Sequence, residues 1–213
     1  MIDGLMARLI DLSHAIGHGT ITYPGLPAPK IGDHITREAS RAKYAPGTTV
    51  QIGRIEMVAN TGTYIDAPSH RWEGAADIAQ LPLEHVADLD GIVVDGATLS
   101  GQSFRDCAVV FRTGWSQYFG TPRYGEGGPF LTLDTAEALI GGGAALVGID
   151  SVNIDDMRDL TRPVHSRLLA AGIPIVEHLT ALDQLPDRFR FFAVPAKFIG
   201  MGTFPVRAFA IAQ

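Results

Sequence analysis

Short runs of apolar and β-branched residues, each bounded by Gly, Pro or Asp, recur along the 213-residue chain. Such runs are typical of buried strands, because β-branched and aromatic side chains pack well on a pleated surface while Gly, Pro and Asp interrupt it. On this basis we predict strands over residues 49–58, 91–95, 108–112, 145–149, 173–177, 189–194 and 206–211.

Two segments carry the start and stop signals of helices. In LDTAEALIGGG, Asp134 and Glu137 stand at capping-box spacing, and the glycines from Gly141 provide a left-handed stop. In TRPVHSRLLAAG, Pro163 suits a first turn and Gly172 closes the end. Strands interspersed with helices, without strict alternation, predict a mixed α/β or α+β fold rather than a doubly wound one.

The length and composition are typical of a globular chain, which we expect to form one domain over residues 1–213. A net charge of -6 without a Lys/Arg cluster argues against nucleic acid or membrane partners, and favours a small molecule or copies of the chain itself. The N-terminal segment resembles neither a signal peptide nor a spanning helix, so we expect a cytoplasmic location. The single Cys107 leaves His, Asp and Glu as the candidate metal ligands.

The segment MVANTGTYIDAPSH places Asp66 and His70 directly after the predicted strand 49–58. Gly62 and Pro68 exclude a regular helix here, so we expect both side chains on a loop at a strand end, where reactive groups are common. On local pattern alone the pair is weak evidence for a site, because an Asp before a turn and a His bonded to backbone would explain it.

A second pair of polar residues lies far along the chain. From His165 the predicted helix covers about 10 Å to Gly172, and the strand 173–177 returns by about 13 Å. Because the helix and the strand run in opposite directions over similar lengths, we expect the start of the helix, with His165, and the end of the strand, with Glu177, at the same edge of the domain. Alternatively, His165 caps a helix and Glu177 ends a solvated strand. A carboxylate after the apolar IPIV needs an exit to water or a partner, such as a metal or His178.

Asp66, His165 and Glu177 together would form a set of three metal ligands. Three protein ligands leave a coordination position free for water on a catalytic zinc, and the same set would suit manganese. Such a metal lowers the pKa of its bound water from about 15.7 toward about 7. His70 could then carry the proton to a leaving group.

The segment NTGTYIDAPSH, residues 60–70, resembles the motif H-x-G-T-H-x-D-x-P-x-H of the metal-dependent cyclase family, which includes bacterial kynurenine formamidase and isatin hydrolase. The resemblance continues, in order, through IDLSHAI, YPGLP, FRTGW, GIDSVNID, HSRLLAAGIPIVEHLTALDQLP and FPVRAFAIA. It implies a swivelling β/β/α fold, with a mixed or barrel-like sheet flanked by helices, assembled as a homodimer or homotetramer.

The resemblance also implies roles for individual residues. Asp66, His165 and Glu177 correspond to metal ligands of the family, and His70 corresponds to its catalytic histidine. Tyr23 lies in the segment that corresponds to the entrance loop, where its ring would contact the substrate; alternatively, it simply packs in the turn before Pro24. The family's kynurenine formamidases hold two metals, and two further motif histidines contribute to them.

Those two histidines are replaced here by Asn60 and Tyr64. Asn offers only a neutral amide oxygen, and a Tyr phenol with a pKa of about 10 must lose its proton before it ligates well. We therefore expect one divalent metal, zinc or manganese, rather than two. In the alternative, no metal binds, because Tyr64 donates to Asp66 and Asn60 pairs with Glu177 in a satisfied polar network.

Three hypotheses for function follow. The first is a metal-dependent hydrolase of a non-peptide C–N bond, or of a cyclic amide or ester, in a small molecule, and the retained polar residues favour it. The second is a catalytically idle small-molecule binding or scaffold protein on the same fold, favoured by Asn60 and Tyr64. The third is a metal-free enzyme that uses His70 and Tyr64 as an acid/base pair.

Overall fold

The computed structural model describes residues 7–96, 99 and 103–212. Its elements, in chain order, are β1 (Arg8–Asp11), β2 (Lys30–Ile35), α1 (Arg37–Ser40), β3 (Ile52–Glu56), β4 (Tyr64–Asp66), β5 (Leu89–Asp95), β6 (Cys107–Arg112), α2 (Leu133–Gly142), β7 (Leu146–Ile149), α3 (Pro163–Ala170), β8 (Ile175–Glu177), β9 (Arg188–Phe192), β10 (Thr203–Pro205) and β11 (Phe209–Ala212). Short 3-10 turns connect several of them, including Pro68–His70 after β4.

Among the described residues, nine strands form one mixed sheet in the order β1-β11-β9-β5-β6-β7-β8-β4-β10. The strands from β5 to β8 in this order are parallel, and the other neighbours in the sheet are antiparallel. The sheet curls into a half-barrel flanked by helices, and β2 pairs with β3 in a separate ribbon. The predicted mixed α/β architecture is confirmed.

The central strand β6 is buried on both faces of the sheet. Its alternate residues Ala108 and Val110 pack in one core cluster. Val109 and Phe111 pack in a second cluster, which contains Leu168 of α3. Burial on both faces explains why this strand is the continuous apolar run CAVVF rather than an alternating pattern. The second cluster also holds α3 against the sheet.

Several strand boundaries differ from the prediction. The predicted strand 49–58 is shortened to β3 and lies in the small ribbon, where all five residues are exposed. The predicted strand 206–211 begins later, as β11. The sequence pattern does not indicate β1, β2, β4 and β10. Of these, β4 and β10 have three residues each, which is too few to establish a two-residue period.

The predicted capping box of α2 is wrong. The helix is capped by Thr132, whose side chain accepts a hydrogen bond from Thr135 N at 3.2 Å. Glu137 forms an ion pair with Arg167 of α3 instead. The glycine stop is confirmed, since Gly143 ends the helix with a φ of 77°. None of the helices in the described residues is long and apolar enough to cross a membrane.

Candidate active site

The register of β4 sets the floor of a cleft. Tyr64 stands opposite Glu177 of β8, and Asp66 stands opposite Thr203 of β10. Residues two apart in a strand share a face, and so do directly opposed residues on neighbouring strands. These four polar side chains therefore lie on one face of the sheet, while Ile65 packs into the core on the other.

His165, in the first turn of α3, completes this floor. Its Nε2 atom lies 3.6 Å from Asp66 Oδ2 and 3.6 Å from Glu177 Oε1. All three side chains are buried. The structure thus brings the three residues together, as the opposing paths of α3 and β8 predict. Their function as metal ligands stays a prediction.

Asp155, which the sequence does not single out, supports His165 from behind. Asp155 Oδ2 accepts hydrogen bonds from His165 Nδ1 at 2.6 Å and from its amide at 3.1 Å, and Oδ1 accepts from Val164 N at 2.7 Å. Because Nδ1–H donates to Asp155, the Nε2 atom faces the floor. Burial lowers the pKa of His165, but Glu177, Asp155 and Asp66 outweigh it and raise this pKa to about 10. Without another cation among these carboxylates, both ring nitrogens of His165 are protonated and the ring is positively charged.

Asp66 and His70 are connected through Thr203. The predicted loop position is wrong, because Asp66 is the last residue of β4 and His70 ends the 3-10 turn that follows. The Thr203 hydroxyl donates to Asp66 Oδ1 and lies 2.8 Å from His70 Nδ1. Its single proton goes to Asp66, so its oxygen accepts from Nδ1–H, and Nε2 becomes the basic nitrogen of His70. Burial opposes ionisation of Asp66, yet the charges of His70 and His165 hold its pKa below the usual value.

The floor has the properties of a site for a divalent metal. Ligand atoms of Asp66, His70 and His165 all lie within 4.8 Å of one another. Asp66 Oδ2 is buried and accepts no hydrogen bond within the described part of the chain, which is costly for a carboxylate oxygen. Three buried carboxylates, including Asp155 and Glu177, surround one buried imidazole. These residues fit a divalent cation, which would satisfy Oδ2 and replace the proton on His165.

Glu177 is held by hydrogen bonds from Tyr64 and from the backbone. Tyr64 Oη donates to Oε2 at 2.6 Å, and Ile154 N donates to Oε1 at 2.6 Å. The predicted bond from Tyr64 to Asp66 is therefore wrong. Burial, with the charges of Glu177 and Asp66, raises the pKa of Tyr64 well above its ordinary value, so the phenol keeps its proton. Burial also raises the pKa of Glu177 to about 7, although His165 opposes this.

His178 contacts Tyr64 rather than Glu177, the partner suggested by the sequence. It is fully buried, with Nε2 3.2 Å from Tyr64 Oη and Nδ1 2.8 Å from Tyr124 Oη. Burial lowers the pKa of His178 to about 3, so its ring is neutral. Since Tyr64 gives its proton to Glu177, it accepts from His178 Nε2–H, and Tyr124 donates to Nδ1. The hydroxyl of Tyr124 thus donates to His178, His178 donates to Tyr64, and Tyr64 donates to the carboxylate of Glu177.

The floor opens into a cleft of about 290 Å³. Its walls are formed by Tyr23, Leu26, Asn60, Arg71, Asn153 and Arg162. Tyr23 Oη accepts a hydrogen bond from Arg162 Nη2 at 3.2 Å, so the tyrosine lies on the cleft wall. The side chain of Asn60 interacts with Tyr64 rather than with Glu177. The two carboxylate oxygens of Glu177 accept their hydrogen bonds from Tyr64 and from the backbone of Ile154. The predicted pairing of Asn60 with Glu177 is therefore not formed.

Sequence reasoning does not identify four residues of this region: Asp155, Thr203, Arg71 and Arg162. Asp155 and Arg162 lie in the polar segment that precedes His165, so proximity to a candidate ligand is a signal that could have drawn attention to them. Arg71 follows the candidate base directly. Thr203 carries no such signal, because it meets the site only through the pairing of β10 with β4.

Comparison with known proteins identifies similar sequences and structures. Residues 10–106 and 97–156 match the family model described as "Putative cyclase". A kynurenine formamidase of Maricaulis maris is 31% identical, over 95% of this chain and 97% of its own, and one of Salinibacter ruber is 25% identical, over 94% and 95%. A solved structure of a potential metal-dependent hydrolase with cyclase activity matches at 25% identity with a TM-score of 0.77, over 98% of this chain and 99% of its own. Isatin hydrolase A from Ralstonia solanacearum shares the fold, with a TM-score of 0.78 at 23% identity, over 97% and 92%.

Proposed function

The chain belongs to the cyclase family, and on that premise we propose that it is a metal-dependent hydrolase of a non-peptide C–N bond, or of a cyclic amide or ester, in a small molecule. One observation carries the proposal. Asp66 Oδ2 is buried, accepts no hydrogen bond from the described residues and lies 3.6 Å from His165 Nε2. A relative named kynurenine formamidase, and a solved one described as a potential metal-dependent hydrolase, support this class of reaction.

Asp66, His165 and Glu177 are the residues that we propose hold one divalent cation, zinc or manganese. The two carboxylates approach His165 Nε2 from separate strands at the same distance, 3.6 Å. When bound, such a cation lowers the pKa of a water from about 15.7 toward about 7 and stabilises negative charge on a carbonyl oxygen. Asn60 offers only a neutral amide oxygen, and Tyr64 keeps its proton because burial raises its pKa well above the ordinary value. Both are weaker ligands than the histidine nitrogens they replace, which supports a single site.

His70 is the residue that we propose moves the proton. Its Nδ1–H is committed to Thr203, and its exposed side chain presents Nε2 to the cleft as the free acceptor. This nitrogen can take a proton from the attacking water and return it to the leaving nitrogen. Asp155 keeps the ring of His165 in one orientation throughout, because its carboxylate accepts from the ring and from the backbone.

Two substitutions test this assignment of roles. His70→Ala is expected to lower turnover by about 10²–10⁴-fold, the usual effect of a general acid–base, while metal content stays at the wild-type level. Glu177→Gln is expected to lower both, and the exposed, ion-paired Glu137→Gln serves as its matched control. Elemental analysis gives the metal content, and a panel of formamides, lactams and lactones gives turnover. Wild-type activity in His70→Ala would remove its role, and loss of metal there would make it a ligand.

The second candidate function is a small-molecule binding or scaffold protein without catalysis. It is favoured by the hydrogen bonds from Tyr64 and Ile154, which satisfy both oxygens of Glu177 without a metal. Calorimetric titration of chelator-treated protein separates the two functions. Binding of zinc or manganese tighter than about millimolar supports the hydrolase, and its absence supports the binding protein. A metal-free pair of His70 and Tyr64 is disfavoured, because the proton of Tyr64 is committed to Glu177.

Three further expectations stay predictions. They are a single domain over residues 1–213, a cytoplasmic location, and assembly into a homodimer or homotetramer. Light scattering after gel filtration measures the assembly.

A further inference from the structure

Two arginines on the cleft wall form no direct ion pair with a carboxylate in the described part of the chain. Arg162 and Arg71 both line the cleft, and within the described residues no carboxylate oxygen pairs with either guanidinium. Asp156 gives its carboxylate to Arg158 at 2.8 Å and offers only its backbone oxygen to Arg162. Asp159, also close along the chain, uses its carboxylate for Thr161. Arg162 still interacts electrostatically with the nearby Asp156 and Asp159, without a direct ion pair. Two cations without a directly bonded carboxylate therefore face one small cleft.

Arg162 is held in a fixed position by neutral hydrogen-bond acceptors. It is half-buried and adopts the left-handed conformation, with φ of 49° and ψ of 60°, which costs free energy for a residue with a side chain. Nη1 donates to Asp156 O at 3.1 Å, and Nη2 donates to Tyr23 Oη at 3.2 Å. Both acceptors are neutral. Because Tyr23 accepts from Arg162, its own hydroxyl proton is free to point toward a ligand.

Arg71 is also oriented by neutral groups. Its Nε atom donates to Ser166 Oγ at 3.0 Å, and its guanidinium lies 4.5 Å from the ring centroid of Trp72. Trp72 is fixed in turn, because its Nε1 donates to Ser166 O at 3.2 Å. These contacts define the plane of the guanidinium and leave both Nη groups without an acceptor among the described residues. A planar fork of this kind matches a carboxylate.

The cleft is therefore anionic at its floor and cationic at its wall. Without a bound cation, Asp66 and Glu177 repel an anion from the floor, whereas Arg162 and Arg71 attract it to the wall with or without one. We infer that Arg162, with Arg71 and Tyr23, forms a subsite for a carboxylate carried by the substrate, away from the bond that is broken. A cleft of about 290 Å³ lies at the small end of ligand pockets, so the substrate is a small anionic amide or cyclic amide. Only the placement of the reacting bond at the floor rests on the proposed function.

Binding of two inert probes tests the subsite without any reaction. Benzoate and benzamide have the same shape and differ in charge, and we expect benzoate to bind at least about tenfold more tightly, as for charge-assisted hydrogen bonds. Arg162→Gln should abolish this preference. Arg41→Gln, which removes the same charge from an exposed position outside the cleft, should retain it. Calorimetry is done with metal-loaded and with chelator-treated protein, and the preference should persist in both.

Several outcomes would overturn the inference. These are equal affinities for the two probes in the wild type, a preference that survives both Arg162→Gln and Arg71→Gln, or a preference that disappears on chelation. The last would assign the anion to the cation at the floor. Because Arg162 is the residue before α3, its replacement could destabilise the protein, and thermal unfolding is used to check that each Arg162 variant is folded. Arg71→Gln, at an exposed position, should weaken the preference even if Arg162→Gln does not fold.

Kinetics separates this inference from the proposed function. For a carboxylated formanilide and its methyl ester, we expect the ratio of kcat/KM to favour the acid by about tenfold, with the difference in KM. Arg162→Gln should bring this ratio near one, and Arg162→Lys, which keeps the charge but loses the fork, should give an intermediate value. Hydrolysis without this preference refutes the subsite alone. Absence of hydrolysis with an Arg162-dependent preference for benzoate refutes the proposed function alone.

Discussion

Replacement of Asp155 by Asn tests whether the orientation of the His165 ring controls metal binding. The carboxylate accepts from Val164 N, His165 N and His165 Nδ1, with the last two on the same oxygen. An amide of the same shape keeps one acceptor for Val164 N and places its NH₂ against the other two donors. The ring must then accept through Nδ1, which moves its proton to Nε2, the atom that faces Asp66 and Glu177.

The expected effects have two parts. Two hydrogen bonds to a charged acceptor, at about 1.5 kcal/mol each, are replaced by one neutral bond of about 1 kcal/mol from the amide to Nδ1, so the free energy of unfolding should fall by about 2 kcal/mol. The affinity for zinc should fall by about 10–100-fold, because a supporting carboxylate of a metal-bound histidine has this effect. Asp156→Asn is the matched control: it removes the same charge at the next position, where the carboxylate pairs with the exposed Arg158. Its unfolding free energy should change by less than about 1 kcal/mol.

Urea unfolding measures the first quantity, and calorimetric titration of chelator-treated protein measures the second. A folded Asp155→Asn protein whose zinc affinity changes by less than about threefold, outside the range expected for this support, would refute the reasoning. So would an equal loss of affinity in Asp156→Asn, since the effect would then come from net charge and not from ring orientation.

Three other perturbations have defined outcomes. Tyr124→Phe leaves His178 Nδ1 buried without a donor and should lower the unfolding free energy, measured in urea, by about 1–3 kcal/mol. Gly202→Ala places a Cβ 2.6 Å from the backbone of His70, so both turnover and the thermal midpoint should fall. Burial lowers the pKa of His14 from 6.5 to about 4. Between these two pH values the unfolded chain binds more protons than the folded one, so the free energy of unfolding should decrease as the pH falls from 6.5 to about 4. Urea unfolding midpoints measured across this range test the prediction.

Each of these has a control within the chain. Tyr118→Phe removes a hydroxyl that forms no hydrogen bond among the described residues, and should be neutral. Gly32→Ala adds a Cβ that meets nothing within 4 Å, and should preserve turnover. His14→Gln should flatten the dependence of stability on pH. Wild-type stability in Tyr124→Phe, wild-type turnover in Gly202→Ala, or an unchanged slope in His14→Gln would contradict the respective argument.

The sequence predicts the elements whose signals are local. α3 follows from a proline at its start and a glycine beyond its end, and β8 follows from the apolar IPIV. Their opposite directions and known rises per residue are enough to bring His165 to Glu177. β6 is equally clear, because a strand buried on both faces is apolar throughout.

The remaining parts of the site depend on contacts that no local pattern encodes. Thr203 reaches Asp66 only through the pairing of two strands of three residues each. Asp155 differs from Asp156 and Asp159 in none of the properties visible in a sequence, yet it alone of the three reaches into the buried floor, while the other two bind exposed groups. Asp155 could be distinguished from the other two aspartates only if the conformation of the turn that precedes α3 were known.

β4 carries Tyr64 and Asp66 and is paired along both edges, with β8 on one side and β10 on the other. The floor of the cleft should therefore be lost in the same cooperative transition as the sheet. Tyr23 and Arg71 belong to connecting segments outside this ladder. Substitutions at such positions should alter which molecules the cleft accepts with little loss of stability, whereas substitutions at Tyr64 and Asp66 should also disturb the sheet.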